Sequence, residues 1–162
     1  MGSQEAERLL LAAEDAFQQS GVFVQWGDLF LTDKGLYFIV YAGFQHFGRF
    51  SGLAGLIGGL AGGAAVAIGD KQKIGDARTK AAEIRASEYG LSLSRRLATR
   101  TGGASLFVPR DRIARLSVDR KNSRMVCGLT DDQEMQFGLS RVGTNWPRVV
   151  SDYCEGTTKP DP

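Results

Sequence analysis

The chain has 162 residues, 43% of them hydrophobic and 23% charged, with a formal net charge of +2. That length supports one domain with a core of its own, and a charge so near balance excludes nucleic-acid binding driven by bulk electrostatics. Neither Cys127 nor Cys154 has a cysteine or histidine nearby in the sequence, so packing in a reducing compartment is expected, not a disulfide framework or a metal site.

The N-terminus turns straight into charged sequence without the basic and then apolar stretch of a secretion signal. Ala6 stands where a myristoylation signal at Gly2 needs serine or threonine. Ser3 can cap a helix reaching Gln19, in which Leu10, Ala13 and Phe17 recur at helical spacing and Gly21 follows the end. From Val22 the residues become β-favouring, and Thr32-Asp33-Lys34-Gly35 splits them into strands over 27–31 and 36–41.

Phe50 to Gly69 carries no charge, and it is followed by a highly charged segment to about Tyr89. Gly55, Gly59 and Gly63 recur every four residues, a smooth line along which a second backbone can approach a helix. Ile74, Ala77, Ala81 and Ile84 draw a thin apolar seam on what reads as a solvated helix. A helical hairpin turning near Gly69-Asp70 is therefore predicted, returning the chain beside its point of departure. Glycine weakens an isolated helix by about 1 kcal/mol per residue relative to alanine. The first arm thus needs cover from the charged helix, a second copy or a membrane surface, with Leu53, Leu56, Ile57 and Leu60 as apolar contacts. A glycine-rich linker is the other reading of the same composition.

Beyond the insertion, short strands are predicted over 105–108, 113–119, 125–129 and 134–139, the last three a meander joined by Arg120-Lys121-Asn122-Ser123 and Thr130-Asp131-Asp132-Gln133. Trp146, Val149, Val150, Tyr153 and Cys154 form one helical stripe, with Asn145 suited to the N-cap and Gly156 to the C-cap.

Two stretches carry a family resemblance: Gly27-Asp28-Leu29-Phe30-Leu31-Thr32-Asp33-Lys34-Gly35-Leu36-Tyr37-Phe38-Ile39, and Val108-Pro109-Arg110-Asp111-Arg112-Ile113. The first resembles the opening hairpin of the pleckstrin-homology-like superfamily, GRAM-type and bacterial members in particular, and the second a later strand of that fold. The resemblance implies a mainly β, α+β chain: an antiparallel β-sandwich or barrel with a C-terminal capping helix, in which Trp146 plugs the open end. An N-terminal helix and the inserted helical hairpin are added to it here. It further implies a scaffold that holds lipid headgroups, peptides or partner domains. Phosphoinositide-binding members carry a lysine before the first hairpin turn and an arginine pair after it, whereas this turn offers Lys34 alone.

The expected organisation is an N-terminal helix over 1–20, a β domain from 21–43 and 104–156, a glycine-rich helical insertion over 44–103 and a disordered tail over 157–162. No enzymatic constellation emerges. His46, the only histidine, lies among Phe44, Phe47 and Phe50 and reads as packed or interfacial, Asp131-Asp132 read as turn formers, and the glycine pairs lack a Walker or Rossmann spacing. The function expected is therefore a non-catalytic binding or scaffolding module without cofactor or metal. It would act in the cytoplasm, peripheral to the inner face of a membrane where it attaches to one, with a protein partner or a second copy and no nucleic acid. Leu53, Gly55, Leu56, Ile57, Gly59, Leu60 and Gly63 are the candidate residues for self-association or membrane contact. Arg110, Arg112, Arg115, Arg120, Lys121 and Arg124 are the candidates for anionic lipid, although Asp111 and Asp119 interleave with them. The alternative is an integral membrane protein with residues 50–69 in the bilayer, since twenty helical residues span about 30 Å.

Overall fold

A computed structural model describes residues 6–20, 23–45, 68–99 and 105–158. Seven strands run β1 (Leu9–Ser20), β2 (Phe23–Thr32), β3 (Gly35–Gln45), β4 (Leu106–Pro109), β5 (Ile113–Asp119), β6 (Arg124–Leu129) and β7 (Glu134–Gly138). They join antiparallel in the order β4-β3-β2-β1-β7-β6-β5, and Phe17 opposite Gly138 is the one registered pair between β1 and β7. Helices α1 (Ile68–Ser87) and α2 (Leu93–Ala98) stand between β3 and β4, and α3 (Trp146–Thr158) closes the chain.

Side chains alternate across β2. Leu29 and Leu31 enter one core, which they share with Phe38, Ile113, Leu116, Phe137, Val150 and Tyr153. Trp26 and Phe30 enter a second core with Ile39, Ile74, Ala77 and Ala81. Burial on both faces is why β2 carries apolar side chains at successive positions, as in Leu29-Phe30-Leu31. The first core draws on both sides of the insertion, so 23–45 and 105–158 close on one another as a shared β unit. In the β2–β3 hairpin, Thr32 Oγ1 accepts the N–H groups of Lys34 and Gly35. Gly35 lies at φ 156°, and a Cβ there would sit 2.2 Å from the Val108 carbonyl oxygen, which restricts the position to glycine.

The meander β5–β6–β7 and the C-terminal helix stand where the sequence places them. All five stripe residues of α3 face the first core, but Val150 and Tyr153 are its deeply buried members. Trp146, expected as the plug, is only half-buried, against Gly143 in the preceding loop. The helix runs on through Gly156 to Thr158, two residues into the expected tail.

The predicted N-terminal helix is instead strand β1. Its helical look has a local cause. Ala13 pairs with Leu29 and Ala16 with Gly27, so β1 holds one residue more than β2 over that interval. This bulge puts Ala13 and Ala16 on the same face three residues apart, a helix-like spacing inside a strand. Pairing with β2 then overrides the helix propensity of the alanine, glutamate and glutamine residues.

The insertion also departs from expectation. Gly69 and Asp70 lie inside α1 and form no reversal. The charged helix is no solvated arm either, because Ile74, Ala77 and Ala81 are buried against β2 and β3 as part of the second core. His46 and the glycine line Gly55, Gly59 and Gly63 lie outside the described residues.

Candidate functional site

The most concentrated chemistry in the described chain is a charge cluster between the sheet and the inserted helices. Asp28 points from β2 into the second core and is 1% exposed. Both neighbouring strands bulge beside it: β1 at Glu14-Asp15 and β3 at Tyr41, which is skipped between the pairs Trp26–Ala42 and Gly27–Val40. Asp15 takes φ 55° there, and its N–H donates to Asp28 Oδ1 at 3.1 Å. The Tyr41 hydroxyl donates to Asp28 Oδ2 at 3.0 Å. Bulges re-aim side chains in this way. Close strand approach adds a demand at Gly27, where a Cβ would stand 2.0 Å from the Ile39 carbonyl oxygen.

Arg85 of α1 completes the cluster from the helix side. Its Nε donates to Asp28 Oδ2 at 2.7 Å, and its Nη2 to Asp28 Oδ1 and Asp15 Oδ1, both at 2.8 Å. Trp26 Nε1 also donates to Asp15 Oδ1. Arg96 of α2 donates to the Tyr41 hydroxyl and to Glu88 Oε2, while its guanidinium lies 5.2 Å from the centre of the Phe30 ring. Hydrogen bonds to Asp28 hold the Arg85 guanidinium charged, above its ordinary range, in spite of burial. Burial, followed by the Asp28 charge, raises the Tyr41 hydroxyl pKa. A cleft of about 190 Å³ opens over this cluster beside the exposed Tyr89. Its arginines already pair with carboxylates, so the arrangement is a clamp that docks α1 and α2 on the sheet.

Sequence reasoning did not single out Asp28, Asp15, Arg85 or Glu88 as a site, and it read Arg96 only as part of a surface basic cluster with Arg95 and Arg100, whereas the structure pairs it with Glu88. One signal was available: a carboxylate amid the apolar run from Val24 to Leu31 is a buried charge that needs a cation.

The candidate lipid-contact residues fall at several places. Arg110 is half-buried over the Tyr153 ring, 4.5 Å from its centre. Arg112 pairs with Asp131, Arg115 with Glu134 and Arg124 with Asp119, while Arg120 and Lys121 are exposed at the β5–β6 turn. Asp131 accepts the Gln133 N–H inside its own turn, the role expected of it. The sequence matches no protein-family model and no curated protein, so the functional reading rests on the fold and this geometry.

Behind α3, the Tyr153 hydroxyl is buried and has no hydrogen-bond partner among the described residues. Burial pushes this phenol from 10.0 up to about 12 and the Cys127 thiol from 9.0 up to about 11. Both groups hold their proton more tightly folded than unfolded. Their titration therefore leaves stability unchanged below about pH 9 and lowers it as pH rises from there through about 12. Tyr153→Phe is expected to raise stability by about 1 kcal/mol, by removing an unsatisfied buried group, and to lessen the alkaline loss. Urea unfolding midpoints followed from neutral to alkaline pH check both effects.

Proposed function

We propose that the chain is a non-catalytic binding and scaffolding module of the pleckstrin-homology-like type. On this reading its glycine-rich segment serves self-association or attachment to an anionic membrane surface. The seven-strand order with a helix closing the last strands supports the fold assignment.

One observation carries the role of the segment. The described chain leaves the sheet at Gln45 and resumes at Ile68, and Lys73, early in α1, donates to the Gln45 carbonyl oxygen at 2.9 Å. The two stems are thus fastened together on one side of the β unit. A single helical crossing would carry its ends about 30 Å apart, which fastened stems oppose. A loop that touches a surface and returns meets no such conflict. Lys71 is exposed beside the stems, and a lysine near an anionic leaflet contributes about 1 kcal/mol of attraction.

Gly59→Leu places a bulky side chain on the smooth line. It is expected to abolish co-sedimentation with phosphatidylserine vesicles, or assembly beyond a dimer, while the circular dichroism of the β unit is unchanged. Wild-type behaviour in both assays would reject this role.

A further inference from the structure

Strand β5 ends the sheet, and its outer side has no strand beside it among the described residues. Which of its backbone groups face outward follows from the register. The Leu129 N–H donates to the Gln133 carbonyl oxygen across the β6–β7 hairpin, and β6 and β7 pair without a bulge. Alternation therefore turns Leu129, Cys127 and Met125 toward β7, and Gly128, Val126 and Arg124 toward β5. Their partners are Arg115, Ser117 and Asp119. Leu116 and Val118 accordingly direct their N–H and C=O groups to the open side. From that side the Cys154 thiol of α3 donates to the Leu116 carbonyl oxygen at 3.6 Å, which leaves that oxygen's second lone pair and the Val118 groups for a partner.

We propose that β5 is a homodimer interface: two copies pair their β5 strands antiparallel about a two-fold axis at Ser117, forming one continuous sheet. An isologous interface must complement itself, and β5 does. Arg115 and Ser117 are exposed and Asp119 half-buried, all three on the same face of the strand. In the Ser117-centred register, Arg115 of each copy stands opposite Asp119 of the other, so two opposite-charge pairs form. Centring on Val118 sets Arg115 against Lys121, a like-charge pair, and centring on Leu116 sets Asp119 against Ile113. Charge thus selects one register. It also places Leu116 opposite Val118, so the outward N–H and C=O groups become the hydrogen-bonded pairs of the new seam. Exposed edges that avoid pairing commonly carry lysine or proline, whereas this one carries opposite charges four residues apart. Arg115 also holds Glu134 and Asp119 also holds Arg124 on the inner side, which orients the pair members in advance.

A groove of about 380 Å³ runs between β5 and α3, lined in part by Val118, Pro147, Val150 and Ser151. A two-fold axis normal to the sheet keeps both α3 helices on one face of the joined sheet.

The interface is independent of the glycine-rich segment, and its test uses the full chain both with and without Gly59→Leu. Sedimentation velocity at about 100 µM is expected to show a dimer in both backgrounds. Arg115→Asp and Asp119→Arg singly are each expected to weaken dimerisation at least about tenfold through like-charge opposition, with unchanged circular dichroism. The double variant restores opposite charges and is expected to recover the dimer. Ser117→Cys, in a Cys154→Ser background, is expected to yield a disulfide-linked dimer under mild oxidation. A wild-type monomer at that concentration overturns the proposal. So does a dimer indifferent to both single reversals, or a double variant that stays monomeric.

Discussion

Arg85→Ala is expected to destabilise the fold by about 3 kcal/mol, because breaking a buried ion pair from one side leaves the other charge without compensation. Asp28, 1% exposed, would lose both of its guanidinium hydrogen bonds, at 2.7 and 2.8 Å. It would keep the Asp15 N–H, the Tyr41 hydroxyl and a more distant Arg96 Nη2 at 3.9 Å. These remaining groups form no bidentate pair with it. The loss is large against the roughly 5–15 kcal/mol that holds a typical domain together. Undocking of α1 would also uncover Trp26, which is fully buried with Arg78 over its ring at 5.7 Å. Urea denaturation gives the energy, and a red shift of tryptophan emission before global unfolding reports release of the helix. The paired variant Asp28→Leu with Arg85→Leu separates a clamp from a ligand site. Replacing a buried pair by apolar residues of similar volume is often neutral or stabilising, so most of the lost stability is expected to return. If Arg85→Ala alone unfolds no more easily than wild type, α1 is not held by this cluster.

The clamp also shows where a linear reading reaches its limit. The amphipathic stripe of α3 was legible because five apolar side chains at helical spacing have one packing solution, and the structure buries that stripe against the first core. The turn residues of the meander were legible for a similar local reason: Ser123 and Asp132 take positive φ, at 48° and 62°, and lie in polar turn clusters. Strand β1 was not, since its bulge imposes a helix-like spacing. The docking of α1 was not legible either. Its apolar seam is as thin as that of a solvated helix, and what fixes it is the reach of Arg85 to Asp28 and Asp15, 57 and 70 residues away in the chain. Asp28 alone announced a missing cation, but nothing local says which of the many arginines supplies it. The open side of β5 belongs to the same class. Its outward backbone groups follow from strand order and register, which no single segment encodes.

Phe137→Ala is expected to cost about 3–5 kcal/mol, the range for deleting a large aromatic from a packed core. Phe137 of β7 is fully buried, and its ring meets that of Phe38 of β3 edge-on, with centres 5.2 Å apart and planes at 61°. The two rings come from opposite sides of the insertion. Their contact therefore measures how strongly the two halves of the β unit depend on each other. Edge-to-face aromatic pairs contribute about 0.5–1.5 kcal/mol beyond area burial, so Phe137→Leu, which preserves apolar volume better, is expected to lose less. Phe23→Ala, at a position 54% exposed, should change stability by no more than about 0.5 kcal/mol. Calorimetry and amide exchange read the result. Because Leu31 and Phe38 share one core with Ile113 and Phe137, Phe137→Ala should lower exchange protection in β3 and β6 by the same amount, within a single transition. Loss confined to β5–β7, with β2 and β3 unaffected, would mean that the halves on either side of the insertion fold as separate units.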